Sequence, residues 1–446
     1  MKDVRRLLYV VVCAVFFIGL YILSDFYAGE AVGKYAGEIS SGNSKLTSNE
    51  KVTMDDLSLE NQIGGYVSTV SRQEIRLSFL GDITFEGDQL ERYYDSSTES
   101  FDFTNSFKYI TKYLKASNFV AADFEAVMVG PDEDYEDVFD QYGTAGFLYN
   151  VPEVAAENMK AAGISLLQTA NEHAGDFGVD GVKSTLSYLD SAGIKSAGTQ
   201  KSANDKRYTI ASVSSIKIGF VAYSNNLNME LDEDNAYAVN SLDNYDENKI
   251  KQMCNDVRAA RRDGAEFVVA MVYAGEVYNT EPDDSQKSLF NSLFEAGADI
   301  VIGTEPYALQ PIEVRDMTDT DGTAKKGIAI YSLGTFLGSE TYGSAGIDND
   351  IGAILDVVVN KEGNKKAKIS GIRLTPTCIT YTEDDVFVLP AAEVKNNKDS
   401  FSDVADDSVM ERINAACDEI IPGLLEGTGL QGSYSGNTYV VNFDKF

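Results

Sequence analysis

The chain has 446 residues, 43% of them hydrophobic, enough for one large domain or two smaller ones around a substantial core. Its 37 Lys and Arg face 70 Asp and Glu, a formal net charge of -33, which argues against nucleic acid as a partner because phosphate binding needs basic surface. Such a charge implies a solvated, self-repelling surface that can gather divalent cations.

Taken in chain order, Lys2, Arg5 and Arg6 precede an uncharged run from Leu7 to Leu23. That run reaches the roughly 17–25 residues a bilayer-spanning helix needs, and it exceeds the ~7–15-residue core of a cleaved signal peptide. Basic residues before it and Asp25 and Glu30 after it predict a single-pass anchor in the cell membrane, N-terminus inside and the remainder outside. Residues 1–27 therefore read as a cytoplasmic tip and transmembrane anchor. Residues 28–71, rich in Gly, Ser, Asn and charge, read as an extracellular spacer.

From Glu74 the chain alternates short apolar strands with helical segments. Strands are expected near 74–80, 118–122, 164–168, 216–223, 267–272, 299–302 and 328–332. Helices are expected over 153–162, 179–192, 248–262 and 285–296. Phe267-Val-Val-Ala-Met-Val is apolar without alternation, as in a strand covered on both faces. The alternation implies an α/β layered fold over 72–392. Strands near 351–359, 367–374 and 386–389 suggest an antiparallel finish, and 393–446 read as a helical extension, with helix over about 401–425, followed by a polar tail. The four cysteines, Cys13, Cys254, Cys378 and Cys417, contain no CxxC pair and outline neither a zinc site nor a disulfide framework.

Polar residues gather just beyond the strands, where α/β folds build their sites. Five loops stand out: Gly81-Asp82, Asp123-Phe124-Glu125, Asn171-Glu172-His173, Tyr273-Ala274-Gly275-Glu276 and Gly303-Thr304-Glu305-Pro306-Tyr307. Carboxylate, amide and imidazole groups converging there offer oxygen and nitrogen donors to a divalent metal ion.

In order and spacing these loops resemble the CapA family, linked to poly-γ-glutamate capsule synthesis, which looks like a branch of the calcineurin-like metallophosphatase fold. The longest match runs from Ala170-Asn-Glu-His-Ala-Gly-Asp-Phe-Gly to Gly193; Gly297-Ala-Asp-Ile-Val-Ile-Gly303 and Tyr331-Ser-Leu-Gly-Thr-Phe336 add two more. The resemblance implies a four-layer α-β-β-α sandwich with metal ligands at Asp82, Glu125 and Asn171, and a site role for His173. The departures are equally specific. Glu172 and Glu305 stand where Asn and His are usual, Asp123 where Asn is, and Tyr273 and Tyr307 where His is.

Two readings of the site stay open. The carboxylates Asp82, Asp123, Glu125, Glu172 and Glu305 hold Mn, Mg or Ca, with His173 protonating a leaving group or orienting a phosphate. Alternatively, loss of the imidazoles leaves a binding or assembly module with weak or absent phosphatase activity. Tyr273, Glu276 and Tyr307 are further site candidates, although packing alone accounts for the tyrosines. The resemblance implies an anionic polymer and a membrane-embedded polymer synthase complex as partners. At -33 the chain repels a polyanion at long range, so direct binding calls for bridging cations or a local basic patch such as Arg258, Arg261 and Arg262. Lys361, Lys365, Lys366 and Lys368 read as a solvated hairpin end.

Overall fold

Alternation along the first described strand decides the architecture. In β1 (Arg72–Ile83), Ile75, Leu77 and Phe79 enter one core, while Leu80 and Ile83 enter another on the opposite face. The computed structural model describes residues 72–85, 87–131, 148–319, 322–338, 348–363 and 365–443. A short hairpin, β2 (Tyr94–Asp95) with β3 (Ser100–Phe101), follows β1; then come β4 (Phe119–Phe124), β5 (Leu166–Gln168) and β6 (Lys195–Ala197). The second sheet is built from β7 (Tyr208–Val213), β8 (Ile216–Ser224), β9 (Phe267–Tyr273), β10 (Ile300–Thr304), β11 (Ile312–Thr318) and β12 (Ala324–Ile330). The chain then returns to the first sheet through β13 (Thr335–Leu337), β14 (Ile351–Glu362), β15 (Lys368–Tyr381), β16 (Val386–Pro390), β17 (Ser433–Ser435) and β18 (Thr438–Asn442).

The first sheet runs β17-β18-β15-β14-β1-β4-β5-β6, with β13 also on β1 and β16 also on β15. It is parallel from β1 to β6 and antiparallel from β14 outward. The second runs β11-β12-β10-β9-β8-β7, with parallel central strands and antiparallel edges. One core joins their facing sides, where the rings of Phe119 and Phe220 stack at 5.3 Å. Outside the first sheet, helix Val154–Ala162 adds Ala155 and Met159 to a core shared with Leu80 and Val120. Outside the second, helices Glu247–Arg262 and Asp284–Ala296 bring Val257, Leu289 and Leu293 against Val268 and Ala270. The layers thus run helix, sheet, sheet, helix.

Helix starts follow from caps. Asp246 accepts from the amides of Asn248 and Lys249, and Asp283 forms a reciprocal capping box with Gln286. The C-terminal stretch shares the central core: Val394, Met410, Ile413 and Leu424 pack there, and β18 pairs with β15 over Gly371–Leu374. A strand pair thus stands where a polar tail was expected. The helical stretch expected over 401–425 is broken into helix Asp407–Ala415, a π turn and a short last turn. Edge strands β7 and β11 were not read from the sequence. Among the described residues no helix is long and apolar enough to cross a membrane; the Leu7–Leu23 run and the spacer lie outside them.

Candidate functional site

The carboxyl ends of the parallel strands of both sheets meet at one place. Asp82, the last residue but one of β1, lies in register with Asp123 of neighbouring β4, so strand pairing alone sets two carboxylates side by side. The backbone there is tightly held: the Asp82 amide donates to Gly334 O at 3.1 Å, and a Cβ on Gly81 would sit 1.7 Å from that same oxygen. Only glycine permits this approach. Beyond β4, the Glu125 amide donates to Ile83 O, and beyond β5, Asn171 Nδ2 donates to Phe124 O at 2.5 Å. From the second sheet come Tyr273 at the end of β9 and the turn Glu305–Tyr307 after β10, whose Glu305 and Tyr307 both hold positive φ (96° and 54°).

The two sheets connect through phenols. Glu125 Oε1 accepts from the hydroxyls of Tyr273 at 2.9 Å and Tyr307 at 2.5 Å. The same hydroxyls reach Glu172 Oε1 at 3.1 and 3.3 Å. Two groups with metal-ligand proximity share Glu125: Asp82–Asp123–Glu125 and Glu125–Glu172–His173, each with its ligand atoms within 4.8 Å of one another.

The first group is the more telling. Both oxygens of Asp82, Oδ1 of Asp123, Oε2 of Glu125, Oδ1 of Asn171 and Oε2 of Glu305 are buried with no hydrogen-bond partner. Among the described residues no Lys or Arg forms an ion pair with any of these carboxylates. Burial, reinforced by the charge of Glu172, pushes the Asp82 carboxyl up to about 8. Burial and the charge of Asp82 push Asp123 and Glu125 well above the usual carboxylate range; burial and Glu172 do the same to Glu305. Oxygens that lack both donors and counter-charges fit a hard divalent cation, which would take Asp82, Asp123 and Glu125 as ligands and supply charge neutralisation and Lewis acidity. In the second group Glu125 Oε1 already accepts the two phenolic protons, so that side is the less open to an ion.

His173 lies at the rim, its Nδ1 2.7 Å from Asp176 Oδ2 and its ring edge-on to Tyr149. Asp176 is itself fixed by the amide of Tyr149 at 2.8 Å and Asn228 Nδ2 at 2.9 Å. The carboxylate thus orients the imidazole and leaves Nε2 3.8 Å from Glu172 Oε1. Asp176 was not singled out in the sequence, although its place three residues after His173 in a tight turn is the signal that marks it. The structure brings together Asp82, Asp123, Glu125, Asn171, Glu172, His173, Tyr273, Glu305 and Tyr307. It does not bring in Glu276, which is exposed and contacts Asn279 at 3.4 Å.

Paired sheets with carboxylates, an amide and an imidazole at their strand ends define an α/β domain whose site is compatible with a divalent metal ion. The chain belongs to the bacterial capsule synthesis protein PGA_cap family, whose sequence model matches residues 76–340. It is 27% identical over 274 residues to the PGA biosynthesis protein CapA of Bacillus subtilis, covering 61% of this chain and 65% of that one. It is 25% identical over 275 residues to the capsule biosynthesis protein CapA of Bacillus anthracis, covering 59% and 60%. The matches thus span under two thirds of these relatives' length. Among solved structures, the calcineurin-like phosphoesterase YfkN of Bacillus subtilis aligns with a TM-score of 0.39 at 11% identity, over 80% of this chain and 98% of that one.

Proposed function

We propose that this protein takes part in the synthesis or export of an anionic capsule polymer of the poly-γ-glutamate type at the bacterial cell surface. Membership of the capsule synthesis family over residues 76–340 carries this reading. In it the Leu7–Leu23 segment anchors the chain with its folded domain outside, beside a membrane-embedded polymer synthase. Asp82, Asp123 and Glu125 hold one Mn, Mg or Ca ion in an arrangement akin to calcineurin-like metallophosphatases, altered by the tyrosines. Deleting the gene and restoring it as wild type or Asp82→Ala, with surface polymer measured, tests the reading. Wild type should restore polymer, and Asp82→Ala should not despite equal amounts of protein at the surface. Undiminished polymer in the deletion strain would sink it.

A second reading, a metal-dependent ectohydrolase, is favoured by the His173–Asp176 pair beside the carboxylates. There His173 would move a proton at a leaving oxygen while Asp176 holds its tautomer. Phosphoester turnover by purified protein with Mn, lost in His173→Ala with metal content unchanged, is the expected result. No turnover above the His173→Ala background would remove this reading.

A further inference from the structure

At the amino ends of β9, β10 and β12, opposite the acidic cluster, lies a groove of about 620 Å³. Two sequence features that are about a hundred residues apart meet there: the arginines closing helix Glu247–Arg262 and the lysines of the turn between β14 and β15. Seven Lys and Arg line the groove against four carboxylates, in a chain whose net charge is -33.

Four of the seven cations are paired with carboxylates of this chain, among them Lys326 with Asp316 at 2.8 Å and Lys366 with Asp319 at 2.6 Å. Arg261 and Lys325 are structural. Both bind the buried Asp299, Lys325 at 2.6 Å, and Arg261 also donates to Gly297 O at 3.0 Å, where it complements a helix C-terminus. Two cations on one carboxylate leave a surplus positive charge at the base. Arg258, Arg262 and Lys368 are exposed, and among the described residues none forms an ion pair; Arg258 meets only the Asn255 amide oxygen at 3.2 Å. No ion pair to a described carboxylate of this chain therefore fixes their side chains. Beneath them Phe294, Met317 and Ile369 supply apolar lining.

We propose that this groove binds a segment of a polycarboxylate chain, its acid groups on Arg258, Arg262 and Lys368 and the methylenes between them on the apolar lining. The proposal rests on the capsule-polymer reading and deepens it by locating the polymer away from the acidic site. Methylene-spaced carboxylates suit a groove that is part cationic and part apolar. A denser polyphosphate would be matched in charge only, and the surrounding acidic surface would oppose it.

The test is equilibrium binding of labelled poly-γ-glutamate to the full chain in detergent, with chelator present. Wild type should bind, more weakly as salt rises. Arg258→Glu/Arg262→Glu/Lys368→Glu should weaken binding at least tenfold while lowering Tm by no more than about 2–4 °C, the cost of reversing a charge at the helix end. Binding equal in wild type and variant, or none in chelator, overturns the proposal. So does displacement of the probe by inorganic polyphosphate at lower charge-equivalent concentration. Binding that appears only with added Ca or Mn and ignores the triple variant overturns the groove but leaves the capsule reading standing, since the polymer then engages the acidic cluster.

Discussion

Asp82 is fully buried with two unpartnered oxygens, and its energetics depend on what neutralises it. Its folded-state value is raised, so between 3.8 and about 8 the folded chain keeps a proton that the unfolded chain releases. Stability of the cation-free protein therefore falls as pH rises through that window, and the loss is complete above it. Calorimetry in chelator should show Tm falling across this range, with Asp82→Asn flattening the slope and saturating Mn doing the same for wild type. Identical slopes for wild type and Asp82→Asn would show that the carboxylate does not titrate there. Tyr273 supports a second prediction. Its hydroxyl is fully buried on Glu125, so Tyr273→Phe should cost about 1–3 kcal/mol in denaturant unfolding while leaving metal stoichiometry unchanged. The carboxylates were legible in the sequence because each follows an apolar strand. The phenol bonds were not: Tyr273 and Glu125 lie 148 residues apart, and nothing local tells a packed ring from one whose hydroxyl holds an acid.

Strands β8, β9 and β10 were readable as apolar runs bounded by polar loops, and the four main helices from their periodicity. Strands β7, β11, β17 and β18 were not: β7, β11 and β17 are edge strands with one row of partners and polar residues on the open side, and β18 lies between the exposed β17 and β15. The turn after β10 tests how an element shapes the site. Glu305 and Tyr307 both sit in the left-handed region, which costs a non-glycine residue about 1–2 kcal/mol. Glu305→Gly should therefore raise Tm in chelator, relieving this strain and removing a buried unpartnered oxygen, and should weaken cation binding measured by titration calorimetry. An unchanged Tm with unchanged affinity would mean the turn is not strained against the site. At the opposite wall, Gly81→Ala drives a methyl into Gly334 O and should destabilise the domain by at least about 3 kcal/mol.

Across the whole molecule, the C-terminal residues are part of the sheet. Tyr439, Val441 and Phe443 are buried, and each contributes on the order of 1.5–3 kcal/mol. Cutting the chain after Leu430 should lower Tm sharply and, by baring the β15 edge, promote self-association visible in light scattering. A monodisperse truncated protein with unchanged Tm would contradict this. Arg258, Arg261 and Arg262 were legible as a basic patch, but the long separation between helix Glu247–Arg262 and the β14–β15 turn kept the groove as a whole out of sight, and its lysines read as a solvated hairpin end. The strands themselves give this charge arrangement a further meaning. Strands β9 and β10 carry carboxylates beyond one end and uncommitted cations at the other, separated by roughly 15–25 Å of strand. The groove is thus a local excess of positive charge in a chain of net charge -33, displaced along the sheet from the acidic cluster. Near a polyanion the domain experiences a torque that turns the amino ends of the strands forward before any contact forms, so an approaching polymer would meet the groove first and the acidic cluster last.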